Sequence, residues 1–252
     1  MEKKSMKTIA VVPMKLNNQR LPQKNTKSFT NGKPLCHYIL STLLTVKGIE
    51  AVYAYCSNPC IQEYLPKGVK YLQRPESLDQ DTTKMNEVLQ RFLTDVPADI
   101  YIMSHATAPF ISKKAIEQGL RAVVSGDHDS SFAAKKLQDF LWKDGMPFNY
   151  ELDDIPRTQD LPAYYEETSG FYIYKSDVMK KHNRRIGEAP FIVEVSEIEA
   201  IDIDEEEDFM IADAIYNHIL RGGTLKIDRP MQHSTPFEID VYSVDSIGGA
   251  AA

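Results

Sequence analysis

The stretch from Thr8 to Asn25 reads TIAVVPMKLNNQRLPQKN. Its first half is apolar residue after residue, broken only by Pro13. A run that is apolar on both alternating faces reads as a strand buried from both sides, as inside a parallel sheet. Its second half carries Lys15, Arg20 and Lys24, with amides and a further proline between them. A strand that empties into a cationic loop ahead of a helix offers backbone N–H groups and positive charge to an anion. The alternative is a solvated loop with surface cations, and the loop alone leaves both open.

Working outward, the same alternation repeats. PLCHYILSTLLTV (34–46) has helical spacing of its apolar residues, and EAVYAYCS (50–57) and KYLQRP (70–75) read as strands. TKMNEVLQRFLTDV (83–96) is an amphipathic helix with Met85, Val88, Leu89, Phe92 and Leu93 on one side, and Asp81 or Thr82 as its expected cap. ADIYIMSHATAPF (98–110) is a buried strand running into a proline-containing loop. SKKAIEQGLRAVVSG (112–126) is a helix, with Ser112 as N-cap and Gly126 near its end. Strand and helix in alternation predict an α/β, Rossmann-like sheet, mostly parallel and flanked by helices. Ligands of such sheets bind at the carboxyl ends of the strands, where the loops after Val12, Tyr55 and Ser104 fall.

After residue 130 the texture changes. SSFAAKKLQDFLWKDGMPFNYE (130–151) reads as two strands joined by the turn KDG. The loop 153–169 leads into an aromatic strand, GFYIYKS (170–176). FIVEVSEIEAIDI (191–203) is strand-like, and DEEEDFMIADAIYNHILRGG (204–223) is a helix ended by glycines. Residues 7–222 are expected to form one domain, with 130–175 as an insertion and 223–252 as an extension with no readable element. The terminal GGAAA carries no weight in the fold.

Composition bounds the function. The 252 residues, 42% hydrophobic and 26% charged, suffice for a full core. A net charge of −7 and a pI near 5.4 argue against a nucleic-acid binder, so any anion site is a local basic pocket on an acidic body. Cys36, Cys56 and Cys60, an odd count in a chain of this size, argue against a disulfide framework and for a reducing compartment. Cys56 and Cys60 lack the second pair of ligands that a zinc site needs. No apolar run approaches a membrane span, and the basic Met1–Lys7 leads into no signal-peptide core. A cytoplasmic protein is expected.

Two further segments carry chemistry. Asp202 and Asp204 flank a single residue, so on a strand both side chains would share a face. Neighbouring carboxylates repel unless a cation lies between them, and oxygen ligands suit Mg²⁺. The alternative, acidic residues favouring a helix N-terminus, fits Glu205 to Asp208 but not Asp202, which interrupts an apolar run. In IPRTQDLPAYYEETSGFYIY (155–174), Arg157 and Gln159 sit in a polar loop. Tyr164, Tyr165, Phe171 and Tyr172 read as a sugar platform, or as core or dimer interface.

The order of these blocks matters more than any one of them. RLPQKN, RPESLDQDTT, HATAPF, RTQDLPAYYEETSG and AIDIDEEEDFMIAD, in that succession, resemble the acylneuraminate cytidylyltransferase family over roughly residues 7 to 220. The resemblance implies a Mg²⁺-dependent enzyme that joins an acidic nine-carbon sugar to the α-phosphate of CTP and releases pyrophosphate. By match, Arg20 and Lys24, followed by Asn25, take the places of CTP phosphate contacts, and Lys15 replaces an arginine. Arg74, Asp81 and Thr82 match the segment near the cytosine and sugar site. Arg157 and Gln159 match the substrate-facing loop, and Asp202 and Asp204 the metal pair. The region after 130 matches the element through which the family forms homodimers.

The departures from the family pattern lie in recognition loops. Gly-Gly-Ser in the phosphate loop is here Leu16, Asn17, Asn18, which shifts phosphate binding towards side chains. Ser-Thr-Asp after the second strand is Cys56, Ser57, Asn58; Gln-Pro-Thr-Ser-Pro is His105 to Pro109; Asn-Gly is Ser169, Gly170. His105 reads equally as a substrate contact or a satisfied loop histidine. The expected division of labour has Lys15, Arg20 and Lys24 on the phosphates, Mg²⁺ on Asp202 and Asp204, and Arg157 on the sugar carboxylate. Transfer to another keto-acid sugar or a phosphonate, or nucleotide-sugar binding without chemistry, are the other readings.

Overall fold

A computed structural model describes residues 6–220 of the chain. The quoted apolar run is β1 (Thr8–Met14), buried along its whole length. It is followed by α1 (Leu35–Thr45), β2 (Ala51–Cys56), β3 (Lys70–Gln73), α2 (Met85–Asp95), β4 (Ile100–Met103) and α3 (Lys113–Ser125). Then come β5 (Ser130–Leu137), β6 (Trp142–Lys143), β7 (Met146–Pro147), β8 (Tyr164–Lys175), α4 (Ser176–His182), β9 (Pro190–Val195) and α5 (Glu206–Ile215). The main sheet has seven strands in the order β3-β2-β1-β4-β8-β5-β9. Its neighbouring pairs are parallel except at β8, which runs antiparallel to both β4 and β5.

The alternation of β1 explains why it is apolar throughout. Ala10, Val12 and Met14 face α1 and α3, packing with Ile39, Leu40, Ile116 and Leu120. Ile9 and Val11 face α2 and α4, with Leu89, Phe92, Val178 and Met179. Either face exposed would leave an apolar stripe in water at roughly 1.5–3 kcal/mol per large side chain. The helix caps follow their chemistry. Ser112 Oγ accepts from the Ala115 amide, and Gly126 ends α3 in a left-handed conformation (φ 100°). Helix α2 begins differently from expectation: the Glu87 carboxylate reaches back to the Lys84 amide at 3.1 Å. Asp81 is unavailable as a cap because Lys15 holds it, 2.9 Å away.

Two other expectations are corrected. The KDG turn is real, with Asp144 (φ 53°) and Gly145 (φ 79°) both left-handed, as a tight hairpin turn requires. But it joins only the two-residue strands β6 and β7, while β5 pairs with β8 and β9 in the main sheet. The strand containing Val193 stops at Val195, so Asp202 and Asp204 lie in an irregular segment rather than on a strand. What holds that segment is a non-local bond, from the Ile203 amide to the Thr107 carbonyl at 2.9 Å. The glycines expected to end the last helix, Gly222 and Gly223, lie outside the described residues.

A third apolar cluster positions the site. Leu21, Phe29, Leu35, Tyr38, Phe110, Ile203, Phe209 and Ala212 pack together beyond the carboxyl edge of the sheet. Leu21 is the apolar residue inside the basic RLP motif, and Ile203 the one inside the acidic DID motif. Both are almost fully buried. Burying them in one cluster forces the charges on either side of each to meet.

Candidate active site

The meeting point is Asp204. Its Oδ1 accepts from Arg20 at 2.9 Å and from Lys24 Nζ at 3.0 Å. Lys24 is only 8% exposed. Its Nζ also donates to the Ile203 carbonyl at 2.8 Å, so one ammonium ties the first loop to the last. Burial works to raise the Asp204 carboxyl, but Lys24 and Arg20 together outweigh it and hold it below the usual carboxylate range. Behind it, Asp208 Oδ2 accepts the amides of Asp204 and Glu205, each at 2.9 Å. The acidic start of α5 thus caps the helix and fixes the Asp204 backbone at once.

Asp202 lies on the other side of Ile203. Its Oδ2 accepts from Ser169 Oγ at 2.6 Å, while its Oδ1 is buried with no hydrogen-bond partner among the described residues. His105, at the end of β4, stands in the field of Asp202, Asp204 and Lys24; burial pushes its imidazole down to about 4, against the pull of Asp202. It is therefore a neutral ring at pH 7. Next to Ser169, Gly170 has no room for a side chain: a Cβ there would lie 2.3 Å from Ile111 Cδ1.

The basic loop is closed by Asn25, whose Nδ2 donates to the Lys15 carbonyl at 2.8 Å. Asn25 is buried, and this bond is what it does here; the side chain clamps the loop's two ends. Lys15 reaches Asp81, which also accepts from Gln19 at 2.7 Å. The Lys15 hydrogen bond and charge hold the Asp81 carboxyl low. A cavity of about 640 Å³ opens beside this loop, lined by Leu16, Asn17, Ser57, Asn58, Pro59, Gln73, Glu76, Asp79 and Gln80. These residues follow β1, β2 and β3, at the carboxyl edge where the sheet places its ligands. Arg74 is buried in its wall, paired to Asp79, which also accepts from Ser57 Oγ.

The structure thus brings Arg20, Lys24, Asp202, Asp204 and His105 together; Lys15, Asn25 and Asp81 hold the basic loop beside the cavity, and Arg74 pairs with Asp79 in its lining. Thr82 is exposed beside Asp81. Arg157 and Gln159 are not brought in. The Arg157 side chain is 73% exposed and pairs with Asp160 in its own turn. The Gln159 carbonyl accepts from Gln138. Ser169, Asp208 and Asp79 have site contacts that spacing alone did not reveal.

Comparison with known proteins gives the family. A family model described as cytidylyltransferase matches residues 9–220. The chain belongs to the cytidylyltransferase family. By class it is a nucleotidyltransferase. It is 28% identical over 181 residues to 3-deoxy-manno-octulosonate cytidylyltransferase 2 of Hydrogenovibrio crunogenus, covering 71% of this chain and 68% of that one. It is 25% identical over 182 residues to a pseudaminic acid cytidylyltransferase of Campylobacter jejuni, covering 66% of this chain and 78% of the relative. Among solved structures, CMP:2-keto-3-deoxy-manno-octonic acid synthetase complexed with CTP superposes with a TM-score of 0.65 at 18% identity, over 84% of this chain and 98% of that chain. That last likeness is one of fold, and the cytidylyltransferase motifs lie within the matched span.

Proposed function

We propose that this cytidylyltransferase transfers CMP from CTP to an acidic keto-sugar of the octulosonate or nonulosonate class, with release of pyrophosphate. The observation that carries the reading is the convergence of Arg20 and Lys24 on Asp204, in the same loop whose Leu16 and Asn17 line a cavity large enough for a nucleoside. Cations that neutralise a carboxylate in the free protein are already aimed where a triphosphate's charge would lie. Phosphoryl-type transfer is governed by charge and alignment, so this supplies most of what the reaction asks of the protein. Arg20 and Lys24, with Lys15, hold the leaving pyrophosphate. Asn25 keeps the loop closed around it, and Arg74 keeps the cavity wall in place through Asp79.

Asp202 and Asp204 suit a divalent cation of the Mg²⁺ type. The buried Oδ1 of Asp202 has no donor among the described residues, which leaves it open to a cation. Among the described residues no third His, Cys, Asp or Glu completes a cage. Two carboxylates plus substrate phosphates is the usual Mg²⁺ arrangement. When bound, such an ion polarises the phosphoryl group and lowers the pKa of a coordinated hydroxyl. Ser169 orients Asp202 for it, and Asp208 orients Asp204.

A homodimer belongs to the same proposal. Trp142 (57% exposed), Met146 (63%), Phe148, Leu152 and Ile155 gather on the hairpin arm around β6 and β7. An arm this apolar is matched by a second copy of itself. Arg157 and Gln159, on that arm, would then face the partner's acceptor. No described helix is long and apolar enough to cross a membrane. The reading is tested by pyrophosphate release from CTP with Mg²⁺ across a panel of acidic keto-sugars. CTP binding without release from any of them would reduce the protein to a nucleotide binder.

A further inference from the structure

Beside His105 the structure holds an arginine that no motif announced. Arg185 lies in the loop between α4 and β9. Its guanidinium sits over the Tyr172 ring, 3.9 Å from the centroid, and one amino group is 3.4 Å from Glu167 Oε1. Glu167 also accepts from the Tyr172 hydroxyl. With Lys135, Glu166, Thr168, Ser169, Ala200 and Asp202, Glu167 lines a small cavity of about 120 Å³. That cavity shares no lining residue with the large one. It is a separate space, opening on Asp202.

The loop that carries Arg185 is pinned at both ends. Asn183 ends α4 in a left-handed conformation (φ 50°), and its carbonyl accepts from Asn86 Nδ2 at 2.7 Å. At the other end the Gly187 amide donates to Ser130 Oγ at 2.8 Å, and the Glu188 and Ala189 amides to Asp129 Oδ2 at 2.7 and 3.2 Å. A Cβ on residue 187 would lie 2.2 Å from the Asp129 carboxylate, so glycine is required for this clasp. The guanidinium is therefore held in plane by a ring beneath it and by a fixed backbone.

We infer that Arg185 binds the carboxylate of the acceptor sugar, an assignment that rests on the acidic-sugar reading above. A stacked guanidinium presents its fork to a carboxylate bidentately with little left to order. Its present contact with Glu167, at 3.4 Å, is longer than the roughly 2.7–2.9 Å of a strong charge-assisted bond, so an incoming carboxylate can take its place. Arg157 is in the opposite state: Nε and an amino group hold Asp160 at 2.7 and 3.1 Å. Arg185 reaches the Asp202 cavity through Glu167, one of the residues that line it.

The test compares wild type, Arg185→Ala, Arg185→Lys and Arg157→Ala by pyrophosphate release. The acceptors are 3-deoxy-manno-octulosonate, pseudaminic acid and N-acetylneuraminate, each also as its carboxamide. Arg185→Ala is expected to raise the acceptor KM about 10–100-fold, the worth of a charge-assisted hydrogen bond. The KM for CTP and kcat at saturating acceptor should stay within a few-fold, and the lysine variant should fall between. Wild type should discriminate against the carboxamide, and Arg185→Ala should not. An unchanged acceptor KM in Arg185→Ala, or the whole effect residing in Arg157→Ala, overturns the assignment while leaving the cytidylyltransferase reading intact. No release by wild type with any acceptor overturns both. If Arg185→Ala does not fold, Arg185→Lys and the carboxamide preference of wild type decide the matter.

Discussion

Replacing Lys24 by Met keeps the stem of the side chain and removes its ammonium. Two bonds go with it, to the Ile203 carbonyl at 2.8 Å and to Asp204 Oδ1 at 3.0 Å. Hydrogen bonds involving a charge are worth about 1.5–3 kcal/mol each. Against that stands the desolvation of an ammonium that is 8% exposed, several kcal/mol that the variant recovers. Arg20 remains to neutralise Asp204. The balance is a stability loss of about 1–3 kcal/mol, read from urea unfolding. Turnover should fall further, by about 10²–10³-fold, because one charge-stabilising donor is gone from the proposed phosphate site. The two readouts separate the two roles. Superimposable urea curves would show that Lys24 is no bridge between the loops. Turnover within threefold of wild type, in a folded variant, would show that it holds no phosphate.

Other expectations follow from the same geometry. His105 is held down to about 4 in the folded protein, against about 6.5 unfolded, so only the unfolded chain takes up its proton between those values. Stability is therefore highest above that window and falls as pH drops through it; His105→Asn should remove about 3 kcal/mol of this acid sensitivity between pH 6.5 and 4, and an unchanged slope of denaturation midpoint against pH would contradict the burial argument. Ile203→Ala, at a fully buried position, should cost about 2–5 kcal/mol and weaken CTP binding, since it loosens the cluster that brings Asp204 to Lys24; binding unchanged at that stability loss would uncouple the cluster from the site. Trp142→Asp, on the exposed arm, should shift the chain to monomer in light scattering with the fold retained, whereas a monomeric wild type would remove the arm as an interface.

Much of the sheet was legible because its strands are buried on both faces and say so locally: the seven residues around Val11 are enough to read β1. The basic and acidic motifs were legible as charges without local partners, and the structure pairs them, Lys24 with Asp204. What escaped were features set by distant atoms. Asp202 and Asp204 read as strand because FIVEVSEIEAIDI has no break, yet the Ile203 amide is claimed by Thr107, on another loop. Asp81 reads as a helix cap until Lys15, 66 positions away, takes it. Arg157 sits in the right motif, but its neighbour Asp160 satisfies it. Arg185 belongs to no motif at all; its environment is made by Tyr172 and Glu167 on β8.

The bond between Lys24 and Ile203 spans 179 positions of chain. Loops of that length close late, after the shorter-range pairings have been made. A polypeptide emerging from the ribosome would carry its cationic loop from the outset, yet have no Asp204 to set against Arg20 and Lys24 until the sheet was nearly finished. Nucleotide affinity in this protein should therefore behave as a certificate of completed folding: a chain arrested before Asp204, however well its first strands have assembled, has no working grip on its donor.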